Sequence, residues 1–303
     1  MTRAAAIDVG SGSVKLYVGE RTESGVRPIL ARNAMTRLGE GLRETGRLSQ
    51  AAMERTAAAV AEFAQAARRA GAEQIACVGT MALREAENSR EFARMARERC
   101  GLECRVLPGE EEARLCFAAA CAGDAGECLV MDSGGGSTEL ALGSGGVPQA
   151  RTSIPVGAVN VTERFFAGGA TAERIAQARA YIRKEIAARA PEVPAHTRMI
   201  ATGGTATTMA AVMKALAPYD PEKIRDAFVS REEAERQLAL YAGMSAAERA
   251  KLPGMQAGRE DVILGGACIA AEAADFCSVP GMIVRDCGLR HALVWEMLIK
   301  DEQ

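Results

Sequence analysis

Two stretches of this 303-residue chain carry an aspartate into a glycine turn. The first reads Ala5-Ala6-Ile7-Asp8-Val9-Gly10-Ser11-Gly12-Ser13-Val14-Lys15, the second Leu129-Val130-Met131-Asp132-Ser133-Gly134-Gly135-Gly136-Ser137-Thr138-Glu139. Each is an apolar run, an acid, a Gly-x-Gly-Ser turn and a return alternating with period two. That pattern predicts a strand, a tight turn and an antiparallel partner strand. A third turn, Gly203-Gly204-Thr205, follows the apolar Met199-Ile200-Ala201 and opens a helix. Glycines let backbone N–H groups converge on an anion, the Ser and Thr hydroxyls add donors, and a helix N-terminus adds positive partial charge. Three such turns point to phosphate. Carboxylates beside phosphate repel it unless a divalent cation lies between them, and Mg²⁺ takes one or two carboxylates with water and phosphate oxygens. Asp132, Glu139 and Asp8 are therefore candidate metal carboxylates. The alternatives are that the aspartates accept their own turn N–H groups and that Glu139 faces water. No Gly-Lys-Ser/Thr follows the glycines, which excludes the Walker phosphate loop, and a strand rather than a helix follows both hairpin turns, which excludes the dinucleotide fingerprint.

A second group of acids opens a helix at Gly109-Glu110-Glu111-Glu112-Ala113-Arg114. Glu110 and Glu111 precede Arg114 at pairing distance along a helix. Glu112 shares its face with the apolar Leu115, Cys116 and Ala119, so it heads a stripe that should point inward. An acid there, with no partner one turn on, must face a cleft, a metal or a water, and burial would raise its pKa toward the range of a general base. Arg84, near a helix start after Gly79-Thr80, has the chemistry to clamp a polyanion. Lys15 alternates onto the face of Ser13, within reach of a phosphate held by that turn. For both, an ordinary surface ion pair is an equal alternative.

The positioning elements follow from periodicity. A helix capped by Ser49 buries Met53, Val60, Phe63 and Ala67 and ends near Gly71. Strands at 75–79 and 104–107 precede helices with Arg84 and Glu112; the latter runs from 110 to 122. After the second hairpin come helices near 156–166 and 171–188, the strand 199–201 and its helix. Helices from Ser230 onward, a strand at 282–284 and a terminal helix from 288 to 300 complete the chain. Strands alternating with helices make this α/β with mixed sheets. The two aspartates lie about one domain length apart, so two related domains are expected, 1–124 and 125–288, joined by a close hinge near 123–126. A net charge of −2 and 4% aromatics argue against nucleic acid as a partner. No apolar run reaches membrane-spanning length, and Asp8 arrives too early for a signal-peptide core. Nine cysteines without Cys-x-x-Cys, and only two histidines, predict reduced thiols in a cytoplasmic protein and no zinc site.

The two acid–glycine hairpins, Gly109-Glu110-Glu111-Glu112-Ala113-Arg114-Leu115, Gly79-Thr80 with Ala82-Leu83-Arg84, Gly203-Gly204-Thr205 and Asp286-Cys287-Gly288-Leu289-Arg290 together resemble the exopolyphosphatase/guanosine pentaphosphate phosphohydrolase (Ppx/GppA) family, in order along nearly the whole chain. The resemblance implies two ribonuclease-H-like domains of the actin, sugar-kinase and Hsp70 type flanking a central cleft, with the terminal helix 289–303 packing back on the first. It also implies Mg²⁺-dependent release of terminal phosphate. By motif position Glu112 resembles the family's catalytic base, Asp132 and Glu139 its metal carboxylates, and Arg84 its substrate arginine. Gly12 stands where the family often has Asn, and Pro108 where Ser is frequent. Longer members carry a C-terminal histidine/aspartate-type domain; this chain stops at Gln303 without a His-Asp pair, so the processivity attributed to them is not expected. The leading expectation is hydrolysis of terminal phosphoanhydrides of inorganic polyphosphate. Alternatives are a guanosine pentaphosphate 5′-phosphohydrolase using the same site, a sensor that binds polyphosphate or guanosine penta- or tetraphosphate without turnover, and an ATP-dependent sugar kinase or actin-like ATPase on the same fold. A homodimer is expected from the family alone.

Overall fold

The computed structural model describes residues 2–299; the end of the expected terminal helix, from Lys300, lies outside them. The chain divides into two compact units, one of residues 1–115 and 289–303, the other of 116–288.

In the first unit, β1 (Arg3–Val9), β2 (Ser13–Thr22) and β3 (Gly25–Met35) form a meander, followed by the short helix α1 (Leu42–Thr45) and the long helix α2 (Gln50–Arg69). Ser49 caps α2 by accepting from the Ala52 N–H at 3.2 Å. Met53, Val60, Phe63 and Ala67 are all buried along its inner face, each of the three larger side chains worth about 1.5–3 kcal/mol. β4 (Gln74–Gly79), α3 (Met81–Glu85), α4 (Ser89–Cys100), β5 (Cys104–Val106) and the start of α5 (Gly109–Ala120) follow. The sheet order is β3-β2-β1-β4-β5, with β1, β4 and β5 parallel and the meander antiparallel. Ile7, Val14, Leu16, Phe63 and Phe92 belong to its core.

The second unit repeats the plan. β6 (Cys128–Ser133), β7 (Thr138–Ser144) and β8 (Val147–Ile154) form the meander. Then come α6 (Ala158–Val161), a π-helical turn at Thr162–Phe166, α7 (Ala172–Ala187), β9 (Arg198–Thr202) and α8 (Gly203–Met213). α9 (Pro221–Ile224), β10 (Ala227–Ser230), α10 (Arg231–Ala242), α11 (Ala246–Arg249), α12 (Ile263–Phe276) and β11 (Gly281–Val284) complete it. Its sheet runs β10-β11-β9-β6-β7-β8. Read from β8, that is the order of the first sheet with β10 added antiparallel at the far edge. Leu129, Met131, Ile182, Tyr241 and Ile269 lie in its core.

α13 (Leu289–Ile299) belongs to the first unit. His291 packs on the Tyr17 ring with centroids 4.3 Å apart, and a Cβ at Gly19 of β2 would stand 2.8 Å from Val294 Cγ1.

Three departures from the sequence expectations have local causes. The helix expected over 156–166 is short, passing into the π turn after one turn. β3 and β8 were not foreseen, because their half-exposed, Arg- and Pro-bearing residues do not alternate as a buried strand does. β10 ends at the Ser230 cap, in a stretch for which the sequence predicts no element, because four residues are too few to show a period.

Candidate active site

The duplicated hairpins close identically. Gly10 N–H donates to Ser13 O at 2.9 Å, and Gly134 N–H donates to Ser137 O at 2.9 Å. They differ in what faces the aspartate. Asp8 stands opposite Lys15 across β1 and β2, whereas Asp132 stands opposite Glu139 across β6 and β7. Directly opposed residues share one face of a sheet with Cβ atoms about 5 Å apart, and like charges so placed repel. The first hairpin carries its own cation opposite the acid. The second sets two acids face to face.

Glu139 is 2% exposed and does not face water; its Oε1 accepts from Ser153 Oγ of β8 at 2.7 Å. Asp132 Oδ2 accepts from the Cys116 thiol at 2.9 Å. The carbonyls of the glycine turn are occupied: Gly134 O accepts from Ala158 N–H, Gly135 O from Val159 N–H, and Gly136 O from Asn160 Nδ2 at 2.7 Å. Among the described residues the N–H groups of Gly135 and Gly136 meet no protein acceptor, so the turn offers donors rather than acceptors to a ligand.

The third turn meets the second. Gly203 has φ +86°, and a Cβ there would lie 2.6 Å from Asp132 Oδ1; only glycine takes that conformation and that closeness without strain. Gly203 begins α8, placing a helix N-terminus against the acid pair. A Cβ at Gly204 would collide with the guanidinium of Arg259. Arg259 is 7% exposed. No side-chain hydrogen bond or ion pair holds it among the described residues, and its Nε is orphaned. Burial pulls its pKa below the ordinary guanidinium value against the weaker pull of Asp261. A buried unpaired cation at a helix N-terminus is set up for an anion. Thr202 Oγ1, just before Gly203, and Ser11 Oγ in the first turn are likewise buried without partners among the described residues.

In the first unit, Thr80 N–H donates to Val9 O and Leu107 N–H to Gly79 O. The turn 10–13, α3 and the start of α5 therefore gather at the carboxyl ends of β1, β4 and β5, where open α/β sheets hold their ligands. Glu112 is 7% exposed, as its position on the stripe requires. It is not solitary: Arg84 Nη1 donates to Glu112 Oε2 at 3.3 Å and to Leu107 O at 2.8 Å. The missing partner came from α3 instead of from the next helical turn. The guanidinium thus fixes where the Glu112 carboxyl stands, which is the positional requirement for a base. Glu111 pairs with Arg114 at 2.7 Å, while Glu110 stays exposed.

The second unit thus assembles Asp132, Glu139, Gly134–Thr138, Gly203–Thr205 and Arg259. The first assembles Asp8, Gly10–Ser13 and Lys15 at one strand end, with Arg84 and Glu112 paired. Arg259 escaped the sequence reading. Its one signal was the Gly203-Gly204 pair, which marks a close approach without naming what approaches.

Among the described residues no group of three or more His, Cys, Asp or Glu side chains is placed to hold a metal ion. The opposed Asp132 and Glu139, two oxygen donors beside a phosphate turn, fit the sparse protein coordination that Mg²⁺ accepts.

Fold and motifs together define an actin-like, two-domain phosphatase, a hydrolase. The chain belongs to the Ppx/GppA phosphatase family, whose sequence model matches residues 17–301. It is 32% identical over 290 residues to "Exopolyphosphatase 2" of Mycobacterium tuberculosis, covering 90% of each chain. To "Exopolyphosphatase 1" of Mycobacterium bovis it is 28% identical over 305 residues, covering 98% of this chain and 88% of the relative. Among solved structures, the Aquifex aeolicus member of the Ppx/GppA family superposes with a TM-score of 0.83 at 30% identity, over 100% of this chain and 99% of that one. An exopolyphosphatase-like protein superposes at 0.93 with 28% identity, over 99% and 98%.

Proposed function

We propose that the chain is an exopolyphosphatase that releases orthophosphate from the end of inorganic polyphosphate in a Mg²⁺-dependent reaction. The observation that carries this is the opposed Asp132–Glu139 pair beside a glycine turn whose free groups are donors. Two acids held face to face against a phosphate cradle are tolerable only with a cation between them and the anion. The relatives named exopolyphosphatase support the choice of substrate.

In this reading Asp132 and Glu139 would hold Mg²⁺, which would neutralise charge on the transferring phosphoryl oxygens. Ser153 fixes the Glu139 carboxylate and Cys116 that of Asp132, so neither must reorganise on loading. The N–H groups of Gly135 and Gly136, the N-terminus of α8 and Arg259 would hold equatorial phosphate oxygens. Asp8, with Lys15 opposite, serves the first phosphate turn; as a third metal carboxylate it would have to share its charge with that lysine. Glu112, held in place by Arg84, would orient the attacking water and take its proton.

The test is orthophosphate release from polyphosphates of defined length, with and without Mg²⁺, beside guanosine pentaphosphate. Mg²⁺-dependent release from polyphosphate is expected. Faster release from the nucleotide would replace polyphosphate as substrate, and Mg²⁺-dependent binding without product would make the protein a sensor.

A further inference from the structure

Two pairs of the nine cysteines are brought together, Cys77 with Cys104 across β4 and β5 and Cys121 with Cys128, and the second lies beside an exposed turn. Cys121 directly follows α5, its N–H donating to Phe117 O at 2.9 Å, and Cys128 opens β6. Cys128 is held from both sides, opposite Gly143 of β7 and Arg198 of β9. Their sulfurs are 2.7 Å apart, across seven positions of sequence. Sulfurs this close have little distance left to cover to the roughly 2.05 Å of a disulfide bond. Both side chains are buried, while in the turn that joins them along the chain Ala122, Gly123, Ala125, Gly126 and Glu127 are all exposed.

We propose that Cys121 and Cys128 are a reversible oxidation site, a dithiol that a hydroperoxide converts to an intramolecular disulfide. The sulfur of Cys128 attacks the peroxide; the O–O bond breaks, an S–O bond forms, and hydroxide leaves to be protonated. The sulfur of Cys121 then attacks the sulfenic sulfur; the S–S bond forms, the S–O bond breaks, and the oxygen departs as water. Two thiols lose two electrons and two protons, and one peroxide becomes two waters. Cys128 is the attacking member. Hydrogen bonding from the Cys121 thiol holds it below the ordinary thiol value, with Arg198 and Arg285 adding to this against burial and Asp124. The turn between the two sulfurs is itself anchored: Asp124 pairs with Arg198 at 2.8 Å, and Arg285 Nη1 donates to Ala120 O at 2.5 Å. Oxidation therefore closes a loop whose ends are fixed already, and it adds a covalent tie between the helix that begins near Glu112 and the strand that carries Asp132. The inference is independent of the substrate proposed above.

The experiment exposes the folded, full-length protein to hydrogen peroxide and maps disulfides by peptide mass spectrometry, with free thiols alkylated before digestion. Expected is one Cys121–Cys128 peptide, an intact mass lower by two hydrogens, two of the nine thiols lost to alkylation, and complete recovery with dithiothreitol. C121S should abolish the cross-link and leave Cys128 as a sulfenic acid trapped by dimedone. Should C121S fail to fold, the wild-type peptide map still decides the matter. Peroxide that consumes the half-buried Cys100 and Cys287 while leaving this pair reduced would overturn the proposal. So would a cross-link that forms only in denaturant.

Discussion

Glu112 and Arg84 form a pair in which the acid is buried and the cation a quarter exposed. Because the carboxylate is the proposed proton acceptor, Glu112→Gln should lower turnover by roughly 10²–10⁴-fold. The lost ion pair should cost about 1 kcal/mol, since Arg84 keeps its bond to Leu107 O and its contact with water. Steady-state phosphate release set against a thermal unfolding curve separates the two effects; near-normal turnover would remove Glu112 from its role. Arg259 calls for the opposite pattern. A buried cation with no protein partner is a stability burden, so Arg259→Met should leave the unfolding midpoint unchanged or higher while raising KM about tenfold or more. A midpoint that falls with KM unmoved would make Arg259 a structural residue. Neither relation was open to inspection along the chain: Arg84 reaches Glu112 across 28 positions, and Arg259 meets Gly204 from a loop with no periodicity of its own.

At the scale of elements, the third turn is the tightest constraint. Gly203→Ala should cost about 1–2 kcal/mol for the left-handed backbone and, by pushing a methyl toward Asp132 Oδ1, should also weaken Mg²⁺ binding. Gly101→Ala is the control: φ there is +72° with nothing within 4 Å, so it should lose stability alone. Calorimetric Mg²⁺ titration of both variants distinguishes the contributions, and equal affinities would detach Gly203 from the acid pair. The hairpins and the parallel strands were legible because burial leaves its period in the residues: acid, glycines and alternation occur twice, and the stripe of α2 repeats every three to four positions. β3 and β8 were not: both are sheet edges, β3 shows no alternation in exposure, and the inward positions of β8, Pro148, Ala150 and Thr152, are too mixed in polarity to mark its face. The acids of the site could be named from position; that Asp132 faces an acid and Asp8 a lysine became meaningful only once the register was fixed.

For the whole molecule, pH dependence enters through α13. His291 lies against Tyr17 with its Nδ1 buried and orphaned among the described residues. Burial first, then Arg290 and Lys15, hold it well below its ordinary value. Between that lowered value and about 6.5 the unfolded chain binds a proton that the folded one refuses. Stability should therefore fall as pH drops through that window, by at most ~1.4 kcal/mol per pH unit from this group. Unfolding midpoints from about pH 8 to 5 should fall less steeply for His291→Phe; parallel curves for variant and wild type would exclude it as the source. The same helix has a consequence for biosynthesis. The first unit opens the chain but borrows α13 from beyond residue 288, whereas the second is continuous. The first unit, although made first, cannot be completed until the last helix has been added. A chain released before Leu289 would carry every residue of the second unit but leave uncovered the face of β2 on which His291 and Val294 pack, apolar surface of the kind chaperones shield.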